Sequence, residues 1–294
     1  MAAWSKWLHW TGKCWQFDDT LKAFDLARRA CRVAAAECNQ SKVANAIASA
    51  KTVAAVERLA KADRRIAATV EQWDADPWLL NTPGGVIDLQ TGKTRSHAAT
   101  DYMVKITETA ADALCPIPHW RQFLDRVTDG DAELLAFLHR VAGYLLTGIT
   151  REHALFFNYG TGANGKTTFL NAITVAIGDY CRIAPIETFT ASTNERHPTD
   201  LAGLRGARLV TAVETEEGRR WAESKIKALT GGDKISARFM RQDFFEFTPQ
   251  FKLLIAGNHK PGLRSVDEAI RRRFYLIPFT DSDRRTRSRA ARQT

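Results

Sequence analysis

Apolar and polar residues follow different periods in the first part of the chain, and each period predicts a different element. Aromatic residues alternate with polar ones over residues 7–17 around a central glycine, which predicts a β-hairpin. Residues 18–40 and 41–72 are rich in alanine, with charges at helical spacing. We therefore predict two helices there, the second with Ser41 as its N-cap. Short strands and turns are expected over residues 76–89, where Pro and Gly interrupt the pattern.

The later part of the chain alternates apolar runs of strand length with helical patterns. We predict helices at 119–127, 131–146, 166–177 and 219–230, strands at 154–157, 207–213, 251–256 and 273–278, and a hairpin at 234–247. Such alternation indicates a mostly parallel sheet with helices on both faces. The expected fold class is α/β, with an N-terminal hairpin and mainly helical domain over residues 1–118 and a sheet domain over residues 119–280. Residues 281–294, rich in arginine, are predicted to be a disordered basic tail.

Composition narrows the class of protein further. Hydrophobic residues make up 45% of the chain, which excludes global disorder. Lys and Arg outnumber Asp and Glu by 42 to 33, so a polyanionic partner is compatible with the net charge of +9 but is not required by it. The five cysteines include no C-x-x-C pair, which favours reduced thiols over a zinc site. No apolar run is long enough for a membrane span and no signal peptide is recognisable, so we expect a cytoplasmic protein without a membrane partner.

The most specific motif is GTGANGKT at residues 160–167, which matches the phosphate-binding pattern G-x-x-x-x-G-K-[ST]. A predicted strand precedes it and a predicted helix follows it, as the motif requires. Its glycines let backbone N–H groups surround phosphates, while Lys166 reaches the β- and γ-phosphates and the Thr167 hydroxyl binds Mg²⁺. The residues expected to bind the nucleotide are Gly160, Thr161, Gly162, Ala163, Asn164, Gly165, Lys166 and Thr167. A nucleoside triphosphate with Mg²⁺ is the predicted ligand.

Candidate catalytic groups follow two predicted strands. Glu214, Glu216 and Glu217 come after the strand that ends at Val213, where ligands of open α/β sheets bind. One glutamate would hold the metal and another would orient the attacking water, but the residues alone do not assign the roles. Asn258 follows the next strand and could contact the γ-phosphate. The sequence after it is not the N-K-x-D guanine reader, which argues against a GTPase.

Three consecutive arginines, Arg271–Arg273, precede the last strand. An arginine supplied by a neighbouring subunit can stabilise transition-state charge in phosphoryl transfer. The alternative interpretation is a basic helix end without a catalytic role.

Taken in order, GTGANGKT, RLVTAVETEEG, KIKALTGGDKISARFM, FKLLIAGNHKP and EAIRRRFYLIPF resemble a superfamily 3 helicase. The chain is most similar to the helicase part of the phage and plasmid primase–helicases. DPWLLNTPGGVIDLQTGKT and YLLTGITREHALFFNYG resemble the helical domain that precedes the ATPase in that family. The resemblance covers roughly residues 5–280. It implies an AAA+-like phosphate-loop core and an ATP-dependent DNA helicase of phage or plasmid replication, active as a ring, expected to be a homo-hexamer, in the bacterial cytoplasm.

The resemblance also implies roles for individual residues. Glu214 and Glu216 would be the acidic pair, with Glu214 holding Mg²⁺ together with Thr167. Asn258 would be the sensor, and Arg272 the arginine finger. The segment from Lys225 to Arg241 would contain a hairpin that grips single-stranded DNA through phosphates. Its basic candidates are Lys234, Arg238 and Arg241.

The chain departs from the family pattern in three respects. Thr215 separates two glutamates that are usually adjacent, no primase-polymerase domain lies upstream, and the family normally continues past the LIPF strand. A primase could therefore be supplied by another chain. Two alternatives stay open: a truncated prophage remnant that binds ATP or DNA without unwinding, and a different phosphate-loop enzyme such as a small-molecule kinase, against which the Gly231-Gly232 hairpin motif and the arginines argue.

Overall fold

The computed structural model describes residues 6–191, 199–214, 220–241, 243–259 and 268–279. The chain divides into two compact units, one formed by residues 1–75 and 96–105 and the other by residues 76–95 and 106–294. Residues 106–118 therefore belong to the second unit, whereas the sequence analysis assigned them to the N-terminal domain, residues 1–118. The functional assignment of the two predicted domains stays a prediction. The predicted basic tail, residues 281–294, lies outside the described residues.

The first unit contains the predicted hairpin and a set of short helices. Its elements are β1 (Leu8–Trp10), β2 (Trp15–Phe17), α1 (Lys22–Ala36), α2 (Ser41–Ile47) and α3 (Ala50–Ala60). The antiparallel pairing of β1 with β2 confirms the hairpin. The Trp15 ring contacts two other aromatic rings. Its centroid lies 5.8 Å from that of Trp10 and 5.7 Å from that of Trp73.

The single helix predicted from residue 41 to 72 is wrong. The chain leaves the helix after Ile47 and starts α3 at Ala50, because Ser49 is extended and its hydroxyl accepts a hydrogen bond from the Thr52 N–H. The predicted N-cap is wrong as well: Gln40 occupies that position, and Ser41 is the first helical residue. Composition does not predict such an internal cap, because the alanine-rich sequence has high helix propensity on both sides of it.

The second unit begins with a small antiparallel sheet and two helices. These are β3 (Leu79–Thr82), β4 (Gly85–Asp88), β5 (Thr94–Arg95), α4 (Pro118–Val127) and α5 (Ala132–Leu146). Asp131 starts α5, with its carboxylate accepting hydrogen bonds from the N–H groups of Glu133 and Leu134. Pro118 occupies the first turn of α4, where a missing N–H has no cost.

A five-stranded parallel sheet forms the centre of the second unit. Its strands are β6 (Leu155–Tyr159), β7 (Cys181–Ile183), β8 (Leu209–Val213), β11 (Lys252–Gly257) and β12 (Phe274–Pro278). They lie in the order β12-β6-β11-β8-β7, and every neighbouring pair is parallel. The connecting elements are α6 (Lys166–Ile177), α7 (Thr199–Ala202), α8 (Glu223–Gly231), β9 (Ile235–Ala237), β10 (Phe245–Phe247) and α9 (Glu268–Arg271).

Both faces of this sheet are buried, as the strand pattern predicted. Along β6, Phe157 enters one hydrophobic cluster, whereas Phe156 enters the other, with α4, α5 and α6. A strand buried on both sides reads as a continuous apolar run, which is how these strands appear in the sequence. The α/β class with a parallel sheet is therefore confirmed.

Two buried cations secure the amino-terminal edge of the sheet. The Arg208 guanidinium donates to the carbonyl oxygens of Leu146 and Leu79, each at 2.7 Å. The Lys252 amine donates to the Thr147 carbonyl oxygen. Burial, together with the nearby Arg208 charge, places the pKa of Lys252 well below its usual value. These bonds join the end of α5 to the first residues of β8 and β11.

Candidate active site

The glycine-rich loop, residues 160–167, connects β6 to α6 at the carboxyl edge of the sheet. Gly160 has φ +147°, and a Cβ there would collide with the Phe279 carbonyl oxygen. Gly165 has φ +89°, and a Cβ there would lie 2.8 Å from Val127 Cγ1 and 2.9 Å from Phe123 Cε2. Both positions therefore require glycine for conformation and for space.

Lys166 is held inside this loop and is 6% exposed. Its ammonium donates to the carbonyl oxygens of Gly160 at 2.6 Å and Thr161 at 3.1 Å, and to Asn164 Oδ1 at 2.9 Å. Burial lowers the pKa of Lys166 from its ordinary value. Asn164 in turn donates through Nδ2 to the Phe279 carbonyl oxygen. The loop is thus connected to the end of β12 through a side chain at its centre.

The start of α6 is suited to an anion. Gly165 occupies the cap position and offers no side-chain acceptor to the first N–H groups of the helix. Those N–H groups and the helix dipole favour negative charge at this end. A Cβ at Gly162 would meet no atom within 4 Å, so the loop is open at this residue. The donor set therefore fits phosphate oxygens.

A pocket of about 440 Å³ joins this loop to the ends of two other strands. Glu214 follows β8, Asn258 follows β11, and β11 lies between β6 and β8 in the sheet. The Glu214 N–H donates to the Ala256 carbonyl oxygen at 2.8 Å, and Glu214 is 9% exposed. The residues that line the pocket are Gly162, Ala163, Asn164, Gly165, Lys166, Thr167, Thr168, Val213, Glu214, Ala256, Gly257 and Asn258. Of the predicted acidic group, Glu216 and Glu217 lie outside the described residues.

Gly257 is a site residue that sequence reasoning missed. A Cβ at this position would lie 2.8 Å from Glu214 Oε2 and 2.6 Å from Phe157 Cζ. The absence of a side chain at Gly257 therefore leaves room for the Glu214 carboxylate. A glycine at the end of an otherwise apolar strand was the signal that could have identified it.

The three arginines differ in their surroundings. Arg273 is half-buried and donates to the Ala269 carbonyl oxygen at 2.7 Å. Arg271 is exposed, and the Arg272 side chain is 74% exposed, with Nε 3.5 Å from a Glu268 carboxylate oxygen. None of the three is among the described residues that line the pocket. Arg271 and Arg272 are therefore available to another molecule, whereas Arg273 secures the end of α9.

The candidate DNA-binding residues lie on the hairpin of β9 and β10, which pair in an antiparallel register. Lys234 and Arg241 are exposed. Arg238 is half-buried, with its guanidinium 4.7 Å from the centroid of the Phe244 ring. The three basic residues do not line the pocket, so the hairpin and the pocket are separate features of the second unit.

Known proteins match the chain in two segments. Residues 2–129 match a family described as D5 N terminal like, and residues 158–273 match a family of unknown function, DUF5906. A protein of Acanthamoeba polyphaga mimivirus with a helicase name, L207/L206, is 26% identical over 213 residues, covering 70% of this chain and 22% of the viral protein. A protein of African swine fever virus with a primase name, C962R, is 24% identical over 217 residues, covering 69% of this chain and 22% of that protein.

These matches support a resemblance to the helicase region of the superfamily 3 primase–helicases.

The chain spans about a fifth of the length of the curated relatives it matches. A solved structure of the C-terminal region of NrS-1 is similar over 58% of this chain and 39% of that chain, with a TM-score of 0.46 and 13% identity.

The described residues were also searched for membrane-spanning helices and for clusters of metal-binding side chains. In the ranges that the structure describes, no helix combines the length and the apolar character needed to cross a membrane. Within the same ranges, no cluster of three His, Cys, Asp or Glu side chains is placed to hold a metal ion.

Proposed function

We propose that this chain is the ATP-hydrolysing motor of a DNA replication helicase and acts as a ring that translocates on single-stranded DNA. The observation that carries the proposal is the single pocket that gathers Lys166, Thr167, Glu214 and Asn258. These residues follow three neighbouring strands, β6, β8 and β11, and are separated by up to 92 positions in the sequence. The AAA+-like phosphate-loop assignment of the core is part of the same proposal.

Each residue of the pocket is proposed to have its own role in ATP hydrolysis. N–H groups of residues 162–167 and the Lys166 ammonium would bind the phosphates of ATP. The Thr167 hydroxyl and the Glu214 carboxylate would hold Mg²⁺, which neutralises developing charge on the phosphate oxygens when it is bound. A cation held by two protein oxygens and by phosphates needs no dedicated protein cage. Glu216 is proposed to orient water, and Asn258 to sense the γ-phosphate.

The active site would be completed by a second subunit. Arg272 is exposed, and it does not line the pocket formed by the described residues of its own chain. An arginine so placed can reach the pocket of a neighbour, which supports a homo-hexameric ring with Arg272 as the finger. The β9–β10 hairpin would hold single-stranded DNA through Lys234, Arg238 and Arg241. We further propose that another chain supplies the primase and that the protein acts in the cytoplasm of a bacterial host.

The rate of ATP hydrolysis, measured with and without single-stranded DNA and alongside sizing, tests this function. Wild type is expected to hydrolyse ATP faster with DNA and to form rings. Lys166→Ala should abolish hydrolysis with the fold intact, because its ammonium contacts only acceptors of the loop among the described residues. Lys93→Ala, in the exposed turn between β4 and β5, is the matched lysine control and should retain full activity.

Two results would contradict the proposal. Near-normal hydrolysis by Lys166→Ala would place the ATPase site elsewhere. Binding of ATP or DNA by wild type with no hydrolysis and only monomers, measured with both ligands present, would favour the truncated-remnant alternative instead.

A further inference from the structure

The tip of the β9–β10 hairpin carries exposed aromatic residues that the proposed phosphate contacts do not use. Phe239 is 42% exposed and Phe244 is 59% exposed, and both lie in the turn between the two strands. Met240, between them, is exposed as well. Large exposed apolar side chains cost hydration free energy unless something covers them. The tip is therefore a candidate contact surface.

These rings rest on a built platform. The Phe239 ring stacks on Phe245, with centroids 5.7 Å apart and an interplanar angle of 27°. Phe245 lies 6.0 Å from Phe247, which is buried in the hydrophobic core, and the Arg205 guanidinium lies 5.1 Å from the Phe245 centroid. A column of rings thus extends from the core to the exposed Phe239. Such a column limits the orientations of the outer ring before any ligand binds.

Phe244 is supported from the other side of the turn. The Arg238 guanidinium lies 4.7 Å from the centroid of its ring, a cation–π distance. Arg238 therefore presents a planar cation beside a planar aromatic ring. Both groups stack on nucleobases, since every base has a π-face.

The charge of the hairpin does not favour a polyanion by itself. Residues 233–247 contain three basic side chains, Lys234, Arg238 and Arg241, and three acidic ones, Asp233, Asp243 and Glu246. Attraction of phosphates to this segment is thus offset within the segment. The exposed rings, and not a net charge, are therefore the feature that this segment offers to a ligand.

We infer that the hairpin tip binds unpaired nucleobases by stacking on Phe239 and Phe244, with Arg238 contributing its guanidinium face. Stacking needs accessible base faces, which a duplex does not offer along its length. The site therefore selects single-stranded over double-stranded nucleic acid without reading sequence. Binding at the tip is expected to depend less on salt than phosphate contacts alone would require. This inference rests on the proposed function for its ligand class, single-stranded DNA.

The test compares a thymidine oligonucleotide with an abasic oligonucleotide of equal length and charge, by fluorescence anisotropy on the full chain without ATP. Wild type should bind the abasic strand about 5- to 150-fold more weakly, the range that stacking of one base represents. Phe239→Leu and Phe244→Leu should each weaken thymidine binding within the same range and bring it closer to abasic binding. Phe239→Tyr keeps the ring and should stay within about twofold of wild type.

Several outcomes would overturn the inference. Equal affinity of wild type for the two strands, or unchanged thymidine binding by both leucine variants, would show that only the backbone is held. No binding of either strand at low salt would also refute it. Loss of oligomers by Phe239→Leu with unchanged DNA binding would identify the tip as a contact between copies of the chain. By contrast, intact base-dependent binding in a wild-type chain that does not hydrolyse ATP would refute the motor and leave this inference standing.

Discussion

Replacing Gly257 by alanine would place a methyl group between the Glu214 carboxylate and the Phe157 ring. The added Cβ would lie 2.8 Å from Glu214 Oε2 and 2.6 Å from Phe157 Cζ, whereas ordinary contact begins at 3.4 Å. The carboxylate oxygen and the ring must therefore move by about 0.6 Å and about 0.8 Å. Phe157 is fully buried in the core, so the shift of its ring costs stability, whereas the carboxylate lines the pocket and its shift changes the geometry of the site.

The size of the effect follows from that displacement. Overpacking of this kind costs about 1–3 kcal/mol of stability, which leaves a domain of ordinary stability folded. A misplacement of about 1 Å in an active site can lower the rate about 100-fold. We expect Gly257→Ala to reduce ATP turnover about 10- to 100-fold while the affinity for the nucleotide base and phosphates changes little. Glu214→Gln should also cut turnover strongly, but it should weaken the affinity for Mg²⁺-ATP as well, because the carboxylate that it removes is proposed to hold Mg²⁺.

The assay pairs steady-state ATP hydrolysis with nucleotide binding, followed by a fluorescent ATP analogue, and with thermal unfolding. Gly143→Ala is the matched control, because a Cβ there would meet no atom within 4 Å. Gly143 lies inside α5, so alanine should stabilise the protein by about 0.5–1 kcal/mol and leave turnover unchanged. Normal turnover by a folded Gly257→Ala variant would refute the assignment of the Glu214 carboxylate to catalysis.

The other predictions concern the arginines and the buried lysine. Arg272→Ala should bind ATP and keep its stability but hydrolyse slowly, and mixing it with Lys166→Ala subunits should restore part of the ATPase activity; a mixture as inactive as its components would contradict the finger. Arg273→Ala should instead lower the free energy of unfolding by about 1 kcal/mol, since it loses the bond to the Ala269 carbonyl, and equal stability of the two variants would refute this distinction. For Lys252, the unfolded chain binds more protons than the folded chain between the lowered folded pKa and the ordinary value of about 10.4, so wild-type stability should rise with pH in that window. Lys252→Met should lack that rise. If the free energies of unfolding of the two proteins, measured with urea, changed in the same way with pH, the prediction would be wrong.

Local patterns predicted most elements of the second unit because each carries its own signal. Strands such as β11 are continuous apolar runs, and α6 begins at the end of a motif whose glycines and lysine admit few backbone paths. The pattern was less informative in the first unit. There, the hydrogen bond from the Thr52 N–H to Ser49 divides an alanine-rich run that had been predicted as one helix. Whether such a cap forms depends on which backbone N–H groups find hydrogen-bond acceptors, and composition does not predict that.

By itself, the sequence predicted the glycine-rich loop, the parallel α/β core and the family resemblance, because these depend on residue types at short and regular spacings. Only the tertiary structure decided which distant residues meet. The strand order β6-β11-β8 brings Glu214 and Asn258 to the loop that contains Lys166, and the close approach of Glu214 explains the glycine at position 257. Packing likewise separated a half-buried Arg273 from an exposed Arg272. Contacts between residues far apart in the chain depend on how strands are ordered and how side chains fill the space between layers, and local periodicity carries no information about either.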